Sequence, residues 1–301
     1  MSVMVRKSKD HETWDGTEQI QVEKPEYSDD SAGEAFGMLE DIPGLIMDED
    51  VFDSVGSFIA SALQAVSPWA WIVRLSTLYE NGSRASYTGW LAAPRVVVTS
   101  GRCLFDPSRG ASREVLVEPA NTDAPAGSWM IRSSEFKMVK GWVNSSIPEC
   151  DYGAVVLPGP GLTGIGHFGL AWLPGSRPKE EWLNVSGYPS DIDDALQWYE
   201  GFQVSNTDER FLRRARGSRA LAAGSPLWLY MMRNGRAQRY VCGMVDSNAN
   251  SGEALRLHRE FYDNLIDWIR TASTAAPAAT PVAVPDAAPE APAESNAGTN
   301  G

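Results

Sequence analysis

A long succession of short apolar and alternating runs, separated by Gly, Pro, Asn and Asp, dominates the middle of this chain. It extends over about 69–247, and each run has the length of a single β-strand. The candidate strands are 70–77, 86–93, 95–100, 113–119, 129–140, 152–157, 182–187, 197–205, 226–232 and 238–246. Two barrels use about this many strands. The sequence therefore predicts an all-β fold of two six-stranded antiparallel barrels, over about 69–160 and 175–257.

Predicted helices and polar tails flank this β-rich region. Between 49 and 67, apolar residues recur at three- and four-residue steps, which predicts an amphipathic helix that packs on the domain or docks a partner. The run 257–271 has the same periodicity and predicts a helix that closes a domain spanning 68–272. Residues 1–48 are polar and acidic, and 273–301 are rich in Ala and Pro, so both are predicted to be disordered.

The negative charge of the chain is concentrated at its ends. The formal net charge is −13, yet residues 1–55 hold 15 acidic and 4 basic side chains and residues 275–301 hold 3 acidic ones. This leaves 21 acidic and 22 basic side chains for residues 56–274. A nearly neutral body gives no electrostatic reason to expect nucleic acid or an anionic membrane as partner. No stretch approaches the roughly 20 apolar residues that cross a bilayer.

The cysteines and the N-terminus predict a cellular compartment. Cys103, Cys150 and Cys242 are odd in number and widely spaced, which predicts small buried side chains with no disulfide framework and no zinc site. No cofactor and no metal are expected. The first residues, MSVMVRKSKDHETWDG, have no apolar run after their basic side chains, so we expect no secretory signal. Together these features predict a reducing, cytoplasmic location.

Four stretches of sequence resemble a known family. They are YTGWLAAPRVVVTSGRCLFD at 87–106, CDYGAVVLP at 150–158, GHFGLA at 166–171 with LNVSGYPSD at 183–191, and LAAGSPLW at 221–228. In order, spacing and content they resemble trypsin-like serine proteases of the chymotrypsin fold, and in particular the bacterial glutamyl-endopeptidase-like branch. The resemblance covers roughly 70–270 and implies the same two-barrel fold.

The same resemblance assigns the three catalytic positions. Asp151 matches the triad aspartate, whereas Arg102 stands at the position of the histidine and Ala223 at that of the nucleophilic serine. A guanidinium cannot act as a base near neutral pH, and a methyl group cannot attack a carbonyl. The resemblance therefore implies a pseudoprotease that binds another protein or peptide of unknown identity. Two alternatives stay open: an active serine endopeptidase with a misaligned or surrogate site, and a structural or assembly protein that uses the N-terminal arm and helix.

Other positions of the family's site have also changed. Leu221 replaces a glycine of the oxyanion loop ahead of Gly224, and a bulky residue there disfavours positive φ. Val245 stands where glutamyl endopeptidases carry a histidine that reads the substrate carboxylate. The residues expected to line the former cleft are Ser225, which is also a minor candidate for a surrogate nucleophile, Val245, Arg213, Arg214 and Arg216.

Charged residues near the site leave further alternatives. Arg102 is expected either to pair with Asp151 as a structural latch or to point to solvent while backbone amides cap Asp151. The arginine-rich run 210–219 is expected either to dock an acidic peptide, with the chain's own N-terminal segment as one candidate, or to be a solvated basic loop. None of the three histidines is expected to act as a general base. They are His11, in the arm predicted to be disordered, His167, in the linker, and His258, at the start of the last helix. The oligomeric state is not predicted.

Overall fold

A computed structural model of the chain describes residues 8–14, 57–59, 64, 67–119, 130–173, 175, 182–189, 197–214, 222–233, 236–246 and 253–274. Most of these residues belong to strands of two sheets. The strands are β1 Thr13–Trp14, β2 Ser57–Phe58, β3 Ile72–Tyr79, β4 Arg84–Ala93, β5 Val96–Thr99, β6 Phe105–Asp106, β7 Gly110–Pro119, β8 Ile131–Ser133, β9 Phe136–Val139, β10 Gly153–Val156, β11 Gly169–Leu170, β12 Trp182–Gly187, β13 Trp198–Thr207, β14 Phe211–Arg214, β15 Pro226–Arg233, β16 Arg236–Met244 and β17 Glu253–Arg256. The α-helices are α1 Gly101–Leu104, α2 Lys140–Ser145 and α3 Arg259–Thr274. Short 3₁₀ turns cover Lys9–His11, Trp69–Trp71 and Pro148–Cys150.

The second sheet closes into a six-stranded barrel. Its strands follow the order β16-β15-β12-β13-β14-β17, and β17 pairs back with β16. Two short strands attach at the rim, β11 in parallel to β16 and β2 antiparallel to β13. The predicted second barrel is therefore confirmed, with β14 and β17 as strands that the apolar runs did not indicate.

The first sheet is curled but open in the described part of the chain. Its strands follow the order β1-β9-β10-β5-β4-β3-β7-β6, with β8 paired to β7. A strand has two edges, and those of β9 are taken by β10 and by β1. β8 and β9 are separated by only two residues in the chain, and β8 pairs with β7. Of the two predicted six-stranded barrels, the second is closed and the first is a curled half-barrel.

Three groups of buried side chains hold the fold together. In β3 the inward positions Val73, Leu75 and Tyr79 alternate with less buried ones, as a strand with one face on a core requires. One core fills the half-barrel and another fills the closed barrel. The third joins the two sheets under α3, where Trp90 and Trp228 belong to the same cluster as the helix residue Phe261. The two sheets therefore share one continuous apolar contact, with α3 covering it.

The flanking segments differ from the expectations in three places. Residues 8–14 were predicted to be disordered, yet they form a turn and β1 and bury the His11 side chain. A continuous helix over 49–67 is wrong, because Ser57–Phe58 pair as a strand with β13, and most of that range lies outside the described residues. The last helix runs to Thr274 rather than ending at residue 271, while 275–301 lie outside the described residues.

Candidate functional site

Asp151 lies at the start of β10, where the half-barrel meets the closed barrel. The first pairing of β10 joins Gly153 to Thr99, so the end of β5 and the residues before β10 lie side by side. The Asp151 side chain is buried, and its Oδ1 accepts a hydrogen bond of 2.9 Å from the backbone N–H of Arg102. A buried carboxylate needs such donors, because ionised oxygen without a partner is costly to remove from water. The aspartate is thus held by the first turn of α1.

The Arg102 side chain points away from this bond. Its side chain is 43% exposed, and Nε lies 3.8 Å from Oδ2 of Asp106. Desolvation by burial opposes ionisation of Asp106, yet hydrogen bonds from Ser108 and the nearby Arg102 hold the pKa of this carboxyl below its usual value. The expected latch between the Arg102 guanidinium and Asp151 is therefore corrected: the charge of Arg102 pairs with Asp106, and only its backbone serves Asp151.

Ala223 lies on a tight turn of the closed barrel that presses against the half-barrel. The turn is closed by a hydrogen bond of 3.1 Å from Ser225 N to Ala222 O, and Gly224 in its third position has φ +90°. A positive φ at this position is the geometry of a type II turn, which glycine adopts without strain. The Ala223 carbonyl accepts the N–H of Thr88 in β4 at 3.0 Å. A Cβ at Gly224 would stand 2.0 Å from the Thr88 carbonyl oxygen.

Hydrogen bonds connect this turn to the strand that leads to α1. Thr99 Oγ1 donates to the Thr88 carbonyl at 2.7 Å, and three residues further along the chain Arg102 donates to Asp151. These hydrogen bonds thus link the three positions that the resemblance assigns to base, aspartate and nucleophile, at the junction between the two sheets. A guanidinium directed to Asp106, a fixed carboxylate and a methyl group occupy them. Leu221, ahead of the turn, lies outside the described residues.

Ser225 and Val245 do not face an open cleft. Ser225 is wholly buried, and its Oγ has no hydrogen-bond partner in the described part of the chain. Val245 is 1% exposed and packs in the core of the closed barrel, while its backbone N–H donates to the Ser225 carbonyl at 2.9 Å. The expectation that both line the former cleft is corrected, because each contacts the interior of the protein.

Two bacterial proteins are similar in sequence to this chain, although no family model matches it. It is 28% identical over 213 residues to a protein named glutamyl endopeptidase from Bacillus licheniformis, over 68% of this chain and 65% of that protein. It is 26% identical over 203 residues to a protein named extracellular metalloprotease from Bacillus subtilis, over 67% of this chain and 64% of that protein. The chain therefore spans just under two thirds of the length of these relatives.

A solved structure decides the fold. A Glu endopeptidase in complex with MPD has a TM-score of 0.59 to this chain at 19% identity, over 73% of this chain and 98% of that one. The chain therefore has the chymotrypsin-like fold of that structure. In the described part of the chain no helix is long and apolar enough to span a bilayer. The same residues contain no group of three or more His, Cys, Asp or Glu side chains that could hold a metal ion.

The arginine-rich run 210–219 is partly a strand rather than a loop. Residues Phe211–Arg214 form β14. Arg213 pairs with Glu253 at 2.8 Å and with Asp208 at 3.2 Å, so its charge is already met by two carboxylates. Within the run, Arg216 and the side chain of Arg214 lie outside the described residues. The alternative that this run is a solvated basic loop is therefore wrong for residues 210–214.

A buried polar cluster that the sequence did not indicate flanks Asp151 on both sides. His11 Nδ1 lies 2.9 Å from Tyr152 Oη, which also accepts a hydrogen bond of 2.8 Å from Asn264. The ring of His11 lies 4.9 Å from that of His258, centroid to centroid. The only sequence signal was the pair Thr-Trp after His11, two strand-forming residues inside a polar stretch.

The cluster places the imidazole of His11 beside Cys150. The Sγ atom of Cys150 lies 3.8 Å from His11 Nδ1. Desolvation by burial, with the nearby Glu149 charge, raises the pKa of Cys150 to about 12. A thiol with such a pKa stays protonated near neutral pH, and the thiolate is the nucleophilic form. All three cysteines are buried and free, which confirms their expected packing role.

Proposed function

We propose that this serine protease homologue is catalytically inactive and serves as a binding or regulatory module for another protein or peptide. The observation that carries the proposal is Ala223. It stands at the nucleophile position of the resemblance, on the turn that presses against β4, and its methyl group offers no attacking oxygen.

The surroundings of the turn support inactivity. Ser225, the hydroxyl closest in sequence, is wholly buried, and its Oγ lies where a Cβ on Gly187 would come within 1.9 Å of it. Arg102 cannot take a proton from a nucleophile near neutral pH. His11 and His258 are engaged with each other and with Tyr152. Without a nucleophile and base in contact, oxyanion binding alone would leave only a small residual rate.

Inactivity is tested with a fluorophosphonate probe on the full chain and on Ser225→Ala. We expect no covalent adduct by intact mass on either protein and no cleavage of casein. An adduct on the wild type that disappears in Ser225→Ala would identify Ser225 as a surrogate nucleophile and end the proposal.

Binding is tested by photo-crosslinking in the native cell. A photoreactive amino acid at position 223 probes the former cleft, and the same residue at the exposed position 84 is the control. We expect a second protein to be crosslinked from 223 and not from 84. The same pattern from both positions would show that the cleft is not the contact surface.

The cytoplasmic location expected from the sequence stays a prediction, and one relative carries the word extracellular in its name. Fractionation of the native cell, followed by detection of the full chain, decides between the two compartments.

A further inference from the structure

The segment that contains His11 is bound by the folded body along its backbone. Thr13 and Trp14 pair with Val139 and Met138, which adds a strand to the free edge of β9. Just before this pairing, the N–H of Lys140 donates to the Glu12 carbonyl at 2.8 Å. Strand addition of this kind is a common mode of peptide recognition, in which the main chain supplies affinity and side-chain pockets supply specificity.

His11 and Thr13 of the segment each make specific contacts with the folded body. His11 is 2% exposed, with its ring against Tyr152 and its carbonyl accepting a hydrogen bond of 2.8 Å from Asn264. Thr13 Oγ1 accepts the indole N–H of Trp268 at 3.0 Å. A buried imidazole anchor with partners on its ring and its carbonyl restricts which sequences fit.

The remaining contacts shape the groove around the backbone. A Cβ on Gly141 would stand 2.8 Å from Asp10 Cβ and 2.9 Å from the Asp10 carbonyl oxygen, so only glycine admits the segment this closely. Cys150 Sγ donates to the same carbonyl at 3.6 Å. Lys140 Nζ pairs with Glu12 at 2.7 Å on the exposed side. We call this surface the arm groove. It is formed by Val139, Lys140, Gly141, Cys150, Tyr152, Asn264 and Trp268.

We propose that the arm groove is a peptide-recognition site whose ligand is the chain's own segment 9–14, bound in cis as a tethered strand with His11 as its anchor. Within residues 8–14, the described backbone hydrogen bonds are only those from His11 to Ser8 and from Glu12 to Lys9. Its conformation therefore depends on the groove. Residues 15–56 separate it from β2, so it reaches the groove as a ligand on a long tether. The inference holds whether or not the catalytic centre is active, because the arm groove contains none of Arg102, Asp151 and Ala223.

The test separates the segment from the body of the full chain. A recognition sequence for a site-specific protease is inserted between residues 30 and 31, and the cleaved protein is analysed by native size-exclusion chromatography. We expect the fragment with residues 8–14 to elute with the body. His11→Ala should weaken its binding roughly ten- to a hundredfold, because Tyr152 loses its imidazole partner and the buried ring leaves a cavity, while the bond from Asn264 to the backbone carbonyl is kept. His167→Ala, at an exposed histidine outside the arm groove, is the matched control and should change nothing.

A competition experiment covers the case in which His11→Ala fails to fold. A synthetic peptide of residues 6–16 should displace the fragment from the cleaved wild type, and the same peptide with His11→Ala should not. Separate elution of the wild-type fragment, or equal competition by the two peptides, would overturn the proposal. A concentration-dependent dimer of the uncleaved chain that His11→Ala abolishes would show binding between copies and would overturn the assignment in cis. Fluorophosphonate labelling bears only on the proposed inactivity, so the two proposals fail separately.

Discussion

Replacing Arg102 by Ala tests whether Asp151 is held by the charge of the Arg102 side chain or by a hydrogen bond from the Arg102 backbone. The Arg102 side chain is 43% exposed and its Nε lies 3.8 Å from Asp106, with no hydrogen-bond acceptor for Nε among the described residues. Exposed pairs of this kind contribute about 0.2–1 kcal/mol. The backbone N–H that serves Asp151 is kept in the variant. We therefore expect Arg102→Ala to lower the free energy of unfolding by less than about 1 kcal/mol.

Asp151→Ala should lower the free energy of unfolding by more than Arg102→Ala does. It removes a buried acceptor and leaves the N–H of Arg102 without that partner, which costs about 1–3 kcal/mol before any cavity forms. In a domain of this size, each kcal/mol corresponds to about 2–4 °C in Tm. Arg102→Ala should therefore shift Tm by at most about 4 °C, and Asp151→Ala by about 2–12 °C.

The assay is equilibrium urea unfolding of the full chain, with Arg132→Ala as the matched control. Arg132 is 67% exposed and pairs with Glu114 at 2.6 Å, so it sets the scale for a surface ion pair. Equal small effects of Arg102→Ala and Arg132→Ala are the expected result. A loss above about 3 kcal/mol in Arg102→Ala would mean that the guanidinium compensates the buried carboxylate, and the backbone account would be refuted.

Two further predictions concern the turn at Ala223 and the cluster under α3. Gly224→Ala should destabilise the fold by about 2–5 kcal/mol, because its positive φ is combined with a contact of 2.0 Å to the Thr88 carbonyl. Gly82→Ala has a similar φ of +83° with no atom within 4 Å, so it should cost only about 1–2 kcal/mol, and equal urea midpoints would contradict this account. A hydrogen bond with His258, followed by those from Arg210, holds the pKa of Glu260 far below its ordinary value of 4.5. The stability that Glu260 contributes is therefore complete above pH 4.5 and is lost as the pH falls below this value. The Tm difference between wild type and Glu260→Gln should shrink from pH 5 to pH 3. A difference that grows over this range would contradict the prediction.

Most strands could be predicted because their pattern is local. The alternation in β3 and the apolar run in β5 follow from which face each side chain buries. The strand β14 was missed because its charged residues Arg213 and Arg214 resemble a loop, and the Arg213 charge is met by Glu253 in β17 and by Asp208, close to β14 in sequence. The pair with Glu253 joins residues that are distant in sequence, so no local pattern indicates it.

Only part of the site could be predicted from the sequence. The resemblance identified Arg102, Asp151 and Ala223 by position, but the direction of each side chain depends on which neighbour it contacts, and the sequence does not show which neighbour that is. Asp106, four residues after Arg102 and in β6, pairs with its guanidinium instead. His11 was missed because the groups that bury it come from Tyr152 and Asn264, more than a hundred residues away. A polar segment is disordered only when no preformed surface supplies its partners.

The contacts of Asp151 give this carboxylate a structural role that does not depend on catalysis. A triad aspartate acts on a reaction only through the imidazole beside it, and the resemblance places Arg102 at that position. The carboxylate still accepts the N–H of Arg102, which fixes α1 to the start of β10. Its neighbours Cys150 and Tyr152 hold the Asp10 carbonyl and the His11 ring. A substitution at 151 would therefore disturb α1 and the arm groove together, and this structural role is enough to favour an aspartate at 151 without catalysis.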